Sequence, residues 1–474
     1  MHVFMPYRGD SVHGRIVRVV SLSSLSNRAV NAFQRTHGGG LVKRIVLACC
    51  VVCLPLNAFA QGPLLWELQE DIDGGVDLAR AITLSGRAAV VVGNGGVPLE
   101  GTDESDLVIQ ALSRTTGAVR WSDQTFVSIG AVEPLFTTSR KNRAYAVGTL
   151  REPNDVRSAF LVRAYSVPTG ELLWQNVWHA SLGIDTDHPT GIFAGPTAVI
   201  VVGYSENATR DGLAAVVRAY DPVSGAVLWE DRAGSTGVDV MGWTITANRN
   251  RVFVAGTTSP SSNPSLRDLF VRAYDAASGQ LLWEISRQSV TPTKVALTSG
   301  RLLVAGSAGL STYLAVLSTT GTLLWEDMAP TTGFVADMAV SGSRIAVAIN
   351  AGPQFAIRAY DLSSGILQWE DRSALRSGFH DQMLAVELNN DAVFVAGNSG
   401  EDFGNSEFLV RAYDARSGTL LWDDRSHASP RTTAFDLALG KSRVFVAGYT
   451  TTSATDSDFL IRAYAARPNT AATH

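Results

Sequence analysis

Seven side chains with acid–base or metal-ligating capacity stand out in the polar stretches of this chain: His179, Asp185, Asp187, His188, His380, Asp381 and His427. Imidazoles and carboxylates are the donors that divalent cations take. A His beside an Asp is also the pair that general acid–base chemistry uses. Asp185-Thr-Asp187-His188 and His380-Asp381 are the densest groups. Neither has a known metal-ligand spacing, and no Gly-x-Ser-x-Gly or comparable nucleophile motif accompanies them. Three readings follow: a metal site, an acid–base pair serving a lyase or hydrolase, or a surface that binds a protein or peptide without chemistry. The last is the default, because variable loops on a rigid support make recognition surfaces.

These residues lie between copies of one phrase. It runs Phe/Leu-Val-Arg-Ala-Tyr-Asp, a turn with Ser/Thr-Gly, then Leu-Leu-Trp-Glu, as in residues 270–284 and 408–423. The closing tryptophans are Trp66, Trp121, Trp174, Trp229, Trp283, Trp325, Trp369 and Trp422, at intervals of 55, 53, 55, 54, 42, 44 and 53 residues. A phrase of the Val-Phe-Val-Ala-Gly type precedes each copy, as at 252–256 and 444–448, and a weaker apolar stretch such as 290–298 precedes that. Short runs rich in Val, Phe, Ile and Tyr, bounded by Gly and Ser, are strands. Each unit is therefore strand A, strand B, strand C and strand D. A repeat of roughly 40 to 50 residues with four strands is the signature of a β-propeller.

The last phrase, 459–464, lacks its Trp, and a spare Leu-Leu-Trp-Glu stands at 64–67. The sequence thus predicts an all-β, eight-bladed β-propeller, four antiparallel strands per blade, with the last blade closed by the N-terminal strand and no open edge there. Asp221, Asp275, Asp361 and Asp414 open the C–D turn, where a carboxylate can cap backbone amides. Gly225, Gly279, Gly365 and Gly418 close it with positive φ. A four-residue turn would set Arg411 opposite Trp422, its guanidinium stacked on the indole. A contact copied so often is packing rather than recognition. The D–A and B–C loops share one rim. The B–C loops at 100–106, 206–211, 401–407 and 450–458 are acidic and polar, so this rim is the expected functional face.

Residues 1–60 read as a leader. Lys43-Arg44, the apolar run 45–56 and Ala58-Phe59-Ala60 form a secretory signal over 41–60, and the run is too short to span a bilayer. Val42 is an alternative start, and Val46-Leu47-Ala48-Cys49 loosely resembles a lipoprotein cleavage box. Residues 61–474 are then a single propeller. All three cysteines, Cys49, Cys50 and Cys53, fall in the leader, so the mature chain would have no disulfide, thiol nucleophile or Cys-ligated metal. Residues 61–474 carry 32 basic and 43 acidic side chains, a net charge of −11, which argues against a nucleic-acid partner. No later apolar run is long enough to cross a membrane. The expected product is an exported monomer, periplasmic or extracellular.

Ala219-Tyr-Asp221-Pro-Val-Ser224-Gly225-Ala-Val-Leu-Trp229 resembles the repeat of pyrroloquinoline-quinone (PQQ) type propellers, Ala-x-Asp-x-x-Thr/Ser-Gly-x-x-x-Trp. Similar copies begin at Ala273, Ala359 and Ala412, and weaker ones at Ala111, Ala164 and Ala315. The resemblance implies that Trp and Gly of successive motifs dock blade on blade. It does not fix a cofactor, because the family holds both quinoprotein dehydrogenases and non-catalytic scaffolds, such as the propeller of the outer-membrane β-barrel assembly machinery. Its alcohol-oxidising members are longer and carry an adjacent Cys-Cys disulfide over the quinone. Here that pair is Cys49-Cys50, in the leader. The Cys-x-x-Cys-His of haem-carrying relatives is missing. Sugar-oxidising members bind the quinone without the disulfide. The expectation is a non-enzymatic scaffold with no cofactor and a protein or peptide at its rim. The alternative is a PQQ- and Ca²⁺-dependent oxidoreductase of alcohols or sugars.

Overall fold

The sheet of Val238–Ala247, Arg251–Pro260, Asp268–Asp275 and Leu281–Arg287 shows how the repeat becomes structure. Its strands, A to D, pair antiparallel in chain order. Strands B and C are covered on both faces, so they tolerate runs such as Val252-Phe253-Val254-Ala255, all fully buried. Strand D is outermost and leaves Leu281 and Leu282 exposed. Six separate four-stranded sheets of this kind follow one another along the chain. The structure, a computed structural model, describes residues 17–21, 62–72, 74–97, 106–125, 136–151, 158–179, 187–206, 211–330, 333–373, 380–402, 405–426, 431–453 and 456–467. Every regular element among them is a strand. The signal-like segment 41–60, with its cysteines, lies outside the described residues.

The remaining strands form one nine-stranded sheet. Thr432–Leu439, Arg443–Ser453 and Asp456–Ala465 are completed by Leu64–Glu70, which pairs antiparallel with the last of them. The missing Leu-Leu-Trp-Glu is therefore supplied from the other end of the chain, with Trp66 facing Ala463 and Glu67 facing Arg462. A one-residue bridge, Val76 to Ser457, joins this set to Val76–Ser85, Ala88–Val97, Asp106–Ser113 and Val119–Thr125. Val17–Ser21 pairs with the outer edge of Leu64–Glu70.

Two local features set the register. Strand A carries a bulge opposite the glycine that ends the Val-Phe-Val-Ala-Gly phrase: Gly242 faces Gly256, Met383 faces Gly397 and Ala434 faces Gly448. A Cβ on Gly448 would collide with the carbonyl oxygen of Thr433, so the close approach needs glycine. In the C–D turn, Asp221 Oδ1 accepts from the backbone N–H of Val223 and Ser224 at 3.0 and 2.7 Å, and Gly225 holds φ at +72°. Asp275, Asp361 and Asp414 cap their turns in the same way.

The turn corrects one expectation. The register shifts between Ala412 and Tyr413, so Trp422 faces Ala412, and Arg411 faces Asp423. The guanidinium of Arg411 lies not over its own blade's tryptophan but over Phe355 of the preceding sheet, 5.4 Å from the ring centre. Arg462 lies over Phe408 in the same way. Tryptophan instead reaches the following sheet. The Trp369 indole N–H donates to Ala415 O at 3.0 Å, and the turn glycine Gly418 sits against the ring. Gly225 on Trp174, Gly279 on Trp229 and Gly365 on Trp325 repeat that contact, and Gly62 takes the equivalent place against Trp422.

Candidate functional site

The rim residues fall into separate groups. His179 follows strand D, Leu172–Trp178, while Asp187 and His188 begin strand A, His188–Ala194, of the next sheet. All three meet the ends of the neighbouring B and C strands. His179 Nδ1 lies 3.3 Å from Ser158 O, the Asp187 backbone N–H donates to Ser158 Oγ at 2.7 Å, and His188 Nδ1 lies 3.5 Å from Thr149 Oγ1. The His188 ring also packs on Tyr204 at 5.4 Å. The Asp187 and His188 contacts tie strand ends of neighbouring sheets to one another. His380 and Asp381 open strand A, His380–Leu388, of a different sheet, where Asp381 is fully buried and its N–H donates to Pro353 O at 3.2 Å. Asp185, His427 and the side chain of His380 lie outside the described residues.

The A strands build a site that the motif search did not single out. Together they line a cavity of about 390 Å³ whose walls include Arg80, Trp243, Lys294, Asp337, Phe435 and Asp436. Lys294, Asp337 and Asp436 each stand twelve residues before the position that ends the strand-B phrase, Gly306, Ile349 and Gly448. That constant offset was the available signal. It was missed because the side chains at this offset vary from unit to unit, as Lys294 and Asp337 do, so the repeat phrase does not include them.

Charge is concentrated on one side of the cavity. Lys294 Nζ and Asp337 Oδ1 are 3.0 Å apart, and that carboxylate holds the ammonium above its ordinary value. Burial, with the Asp337 charge second, pushes the Glu387 carboxyl up to about 7. Burial raises Asp436 to about 6 against the two backbone N–H bonds it accepts. Two carboxyls that exchange protons near neutrality beside an ammonium have the atoms for acid–base work. The same side chains also latch neighbouring sheets. Asp436 Oδ2 accepts from Ile82 N at 2.8 Å, Asp337 Oδ2 from Val386 N at 3.0 Å, and Thr244 Oγ1 from Val295 N at 3.2 Å. Arg80 lies 5.0 Å over the Phe435 ring.

Four-stranded antiparallel sheets whose first strands share one cavity define a β-propeller. Residues 267–455 match the family model described as Outer membrane protein assembly factor BamB. The match covers less than half of the chain and supports the PQQ-like propeller resemblance of its repeats. No curated protein sequence matches it. Among solved structures it is similar to the quinohemoprotein alcohol dehydrogenase ADHIIG from Pseudomonas putida HK5, at 12% identity and a TM-score of 0.50 over 86% of this chain and 76% of that one. A europium-containing methanol dehydrogenase matches at 11% and 0.52, over 82% of this chain and 91% of that one. Chaetomium thermophilum Sqt1, bound to the N-terminus of the ribosomal protein L10, matches at 13% and 0.52, over 83% of this chain and 98% of that one. Identities this low establish the fold alone. No described helix is long and apolar enough to cross a membrane.

Proposed function

We propose that this chain is an exported, non-enzymatic scaffold: a closed ring of eight four-stranded blades whose loop-rich rim binds a protein or peptide. The blade count follows if the nine-stranded sheet is divided at the Val76–Ser457 bridge into two four-stranded sets, with Val17–Ser21 as an added edge. Residues 61–474 form the working domain of a monomer, and 1–60 direct it to the periplasm or beyond. The observation that supports the reading is the use made of His179, Asp187 and His188, which contact the ends of neighbouring strands. Sqt1 offers a parallel, a similar fold bound to a protein terminus.

The quinone alternative is the weaker reading. PQQ is a tricarboxylate, and Asp337 and Asp436 already line the cavity while Lys294 is paired with Asp337. The described side chains do not fit such an anion, and no cofactor is proposed. Titration of the chain with PQQ in excess Ca²⁺, followed by tryptophan fluorescence, is expected to give no saturable change. One-to-one quenching at micromolar affinity would overturn the scaffold reading. Photo-crosslinkers at Ser262 on the B–C rim and Ser363 on the opposite, C–D side test the binding face: discrete adducts are expected from Ser262 alone.

A further inference from the structure

Three carboxylates meet at the seam where the two ends of the chain are joined. Asp71 follows Leu64–Glu70, and Asp456 and Asp458 flank Ser457, the residue that bridges to Val76. One oxygen from each lies within 4.8 Å of the others. Their other contacts are few: Gly74 N–H donates to Asp71 Oδ1 at 2.7 Å, Thr452 Oγ1 to Asp456 Oδ2 at 2.8 Å, and Gln69 Nε2 to Asp458 Oδ2 at 2.7 Å. Asp458 is 7% exposed, yet its Oδ1 meets no donor, and neither does the enclosed Oδ1 of Asp456. A buried carboxylate oxygen with no partner is costly. The buried carboxylate of Asp424, by contrast, has Arg462 beside it. Among the described residues, no Lys or Arg is paired with this trio.

We propose that Asp71, Asp456 and Asp458 form a binding site for a divalent cation of Ca²⁺ size that staples the N-terminal strand to the last sheet. An all-oxygen donor set suits a hard cation, and Ca²⁺ accepts carboxylate oxygens in a flexible geometry where Mg²⁺ demands a near-ideal octahedron. The surroundings point the same way. Asp77 is fully buried and has its carboxylate taken up by Ile72 N and Gly96 N. Asp71, Asp456 and Asp458, set this close, repel one another. A cation among them would relieve that repulsion. Asp456 and Asp458 belong to the 450–458 stretch of the same rim, and cation binding there requires no rim partner.

The test is thermal unfolding of the full chain, stripped with chelator and titrated with CaCl₂ or MgCl₂, alongside an Asp456→Asn/Asp458→Asn double variant. The expected result is a saturable rise of about 2–5 °C with Ca²⁺, smaller with Mg²⁺, and abolished in the variant. Without cation the variant should melt at or above the wild type, since it has lost like charges, and this separates lost binding from lost folding. Glu387→Gln, on strand A of another sheet, should keep the full Ca²⁺ response. No saturable shift in the wild type, an equal shift in the double variant, or an equal response to Mg²⁺ would overturn the proposal.

Discussion

The hydroxyl of Tyr464 donates a 2.8 Å hydrogen bond to Asp424 Oδ2, and both side chains are buried. Tyr464 belongs to the C strand that Leu64–Glu70 completes, and Asp424 to the D strand Leu420–Ser426 of the sheet before it. The bond recurs in Tyr165 to Asp123, Tyr274 to Asp231, Tyr360 to Asp327 and Tyr413 to Asp371. Where leucine replaces the tyrosine, an aliphatic replaces the aspartate: Leu112 packs in one cluster with Leu68, and Leu317 in one with Ile285. At these seven pairs the two positions form one joint between successive sheets, polar or apolar; at Tyr220 the counterpart is Asn176, and the hydroxyl accepts from Arg218 Nε at 2.9 Å instead.

Tyr464→Phe leaves a buried carboxylate short of a donor and should cost about 1–3 kcal/mol in urea unfolding. The double change Tyr464→Leu with Asp424→Leu should cost less than the two single changes together, as a coupled pair requires. Strict additivity would show that the two side chains do not act as a joint.

Gly418→Ala meets two penalties, φ of +71° and a methyl placed 2.6 Å from the Trp369 ring. Gly309→Ala, at φ of +59°, meets only the first, because nothing lies within 4 Å. The expected costs are about 1 kcal/mol at Gly309 and at least twice that at Gly418. Equal losses in denaturant unfolding would mean that the ring contact contributes nothing.

Deletion of 64–67 removes most of a paired strand and exposes the edge of Asp456–Ala465. A broad or lowered transition in calorimetry is expected, far beyond what loss of a terminal tail would produce. An unchanged cooperative melt would contradict closure through this strand.

Stability should fall as pH rises through the range set by the central carboxyls. Glu387 and Asp436 have folded values of about 7 and about 6, above their ordinary 4.5 and 3.8. Below pH 4 both states hold these protons. Between about pH 4 and 7 the unfolded chain releases them first, so the folded state loses ground, and above that range the effect levels off. Glu387→Gln should therefore melt a few degrees above wild type at pH 8 and level with it at pH 4. A variant less stable at pH 8 would show that the Glu387 charge supports the fold.

Much of the architecture was legible because repetition makes the chain its own alignment. Trp229 and Gly225 recur at fixed offsets, and a contact between neighbouring sheets must be remade at each step. The Tyr–Asp joint was equally legible in principle, since Leu112 and Leu68 change together, but the partners lie on different units and no local phrase contains both. The placement of Arg411 was not legible: one bulged residue in the C–D hairpin moves it from Trp422 to Asp423 and toward Phe355. Lys294, Asp337 and Asp436, on three different A strands, meet around one cavity, with Glu387 of a fourth close enough to feel their charges, only when the sheets are set side by side. The seam of Asp71, Asp456 and Asp458 needs both ends of the chain. Local chemistry and period determined strands, turns and the order of pairing, because each depends on neighbours a few residues away. The axis and the seam were decided by tertiary structure, because charge and burial there sum over segments hundreds of residues apart.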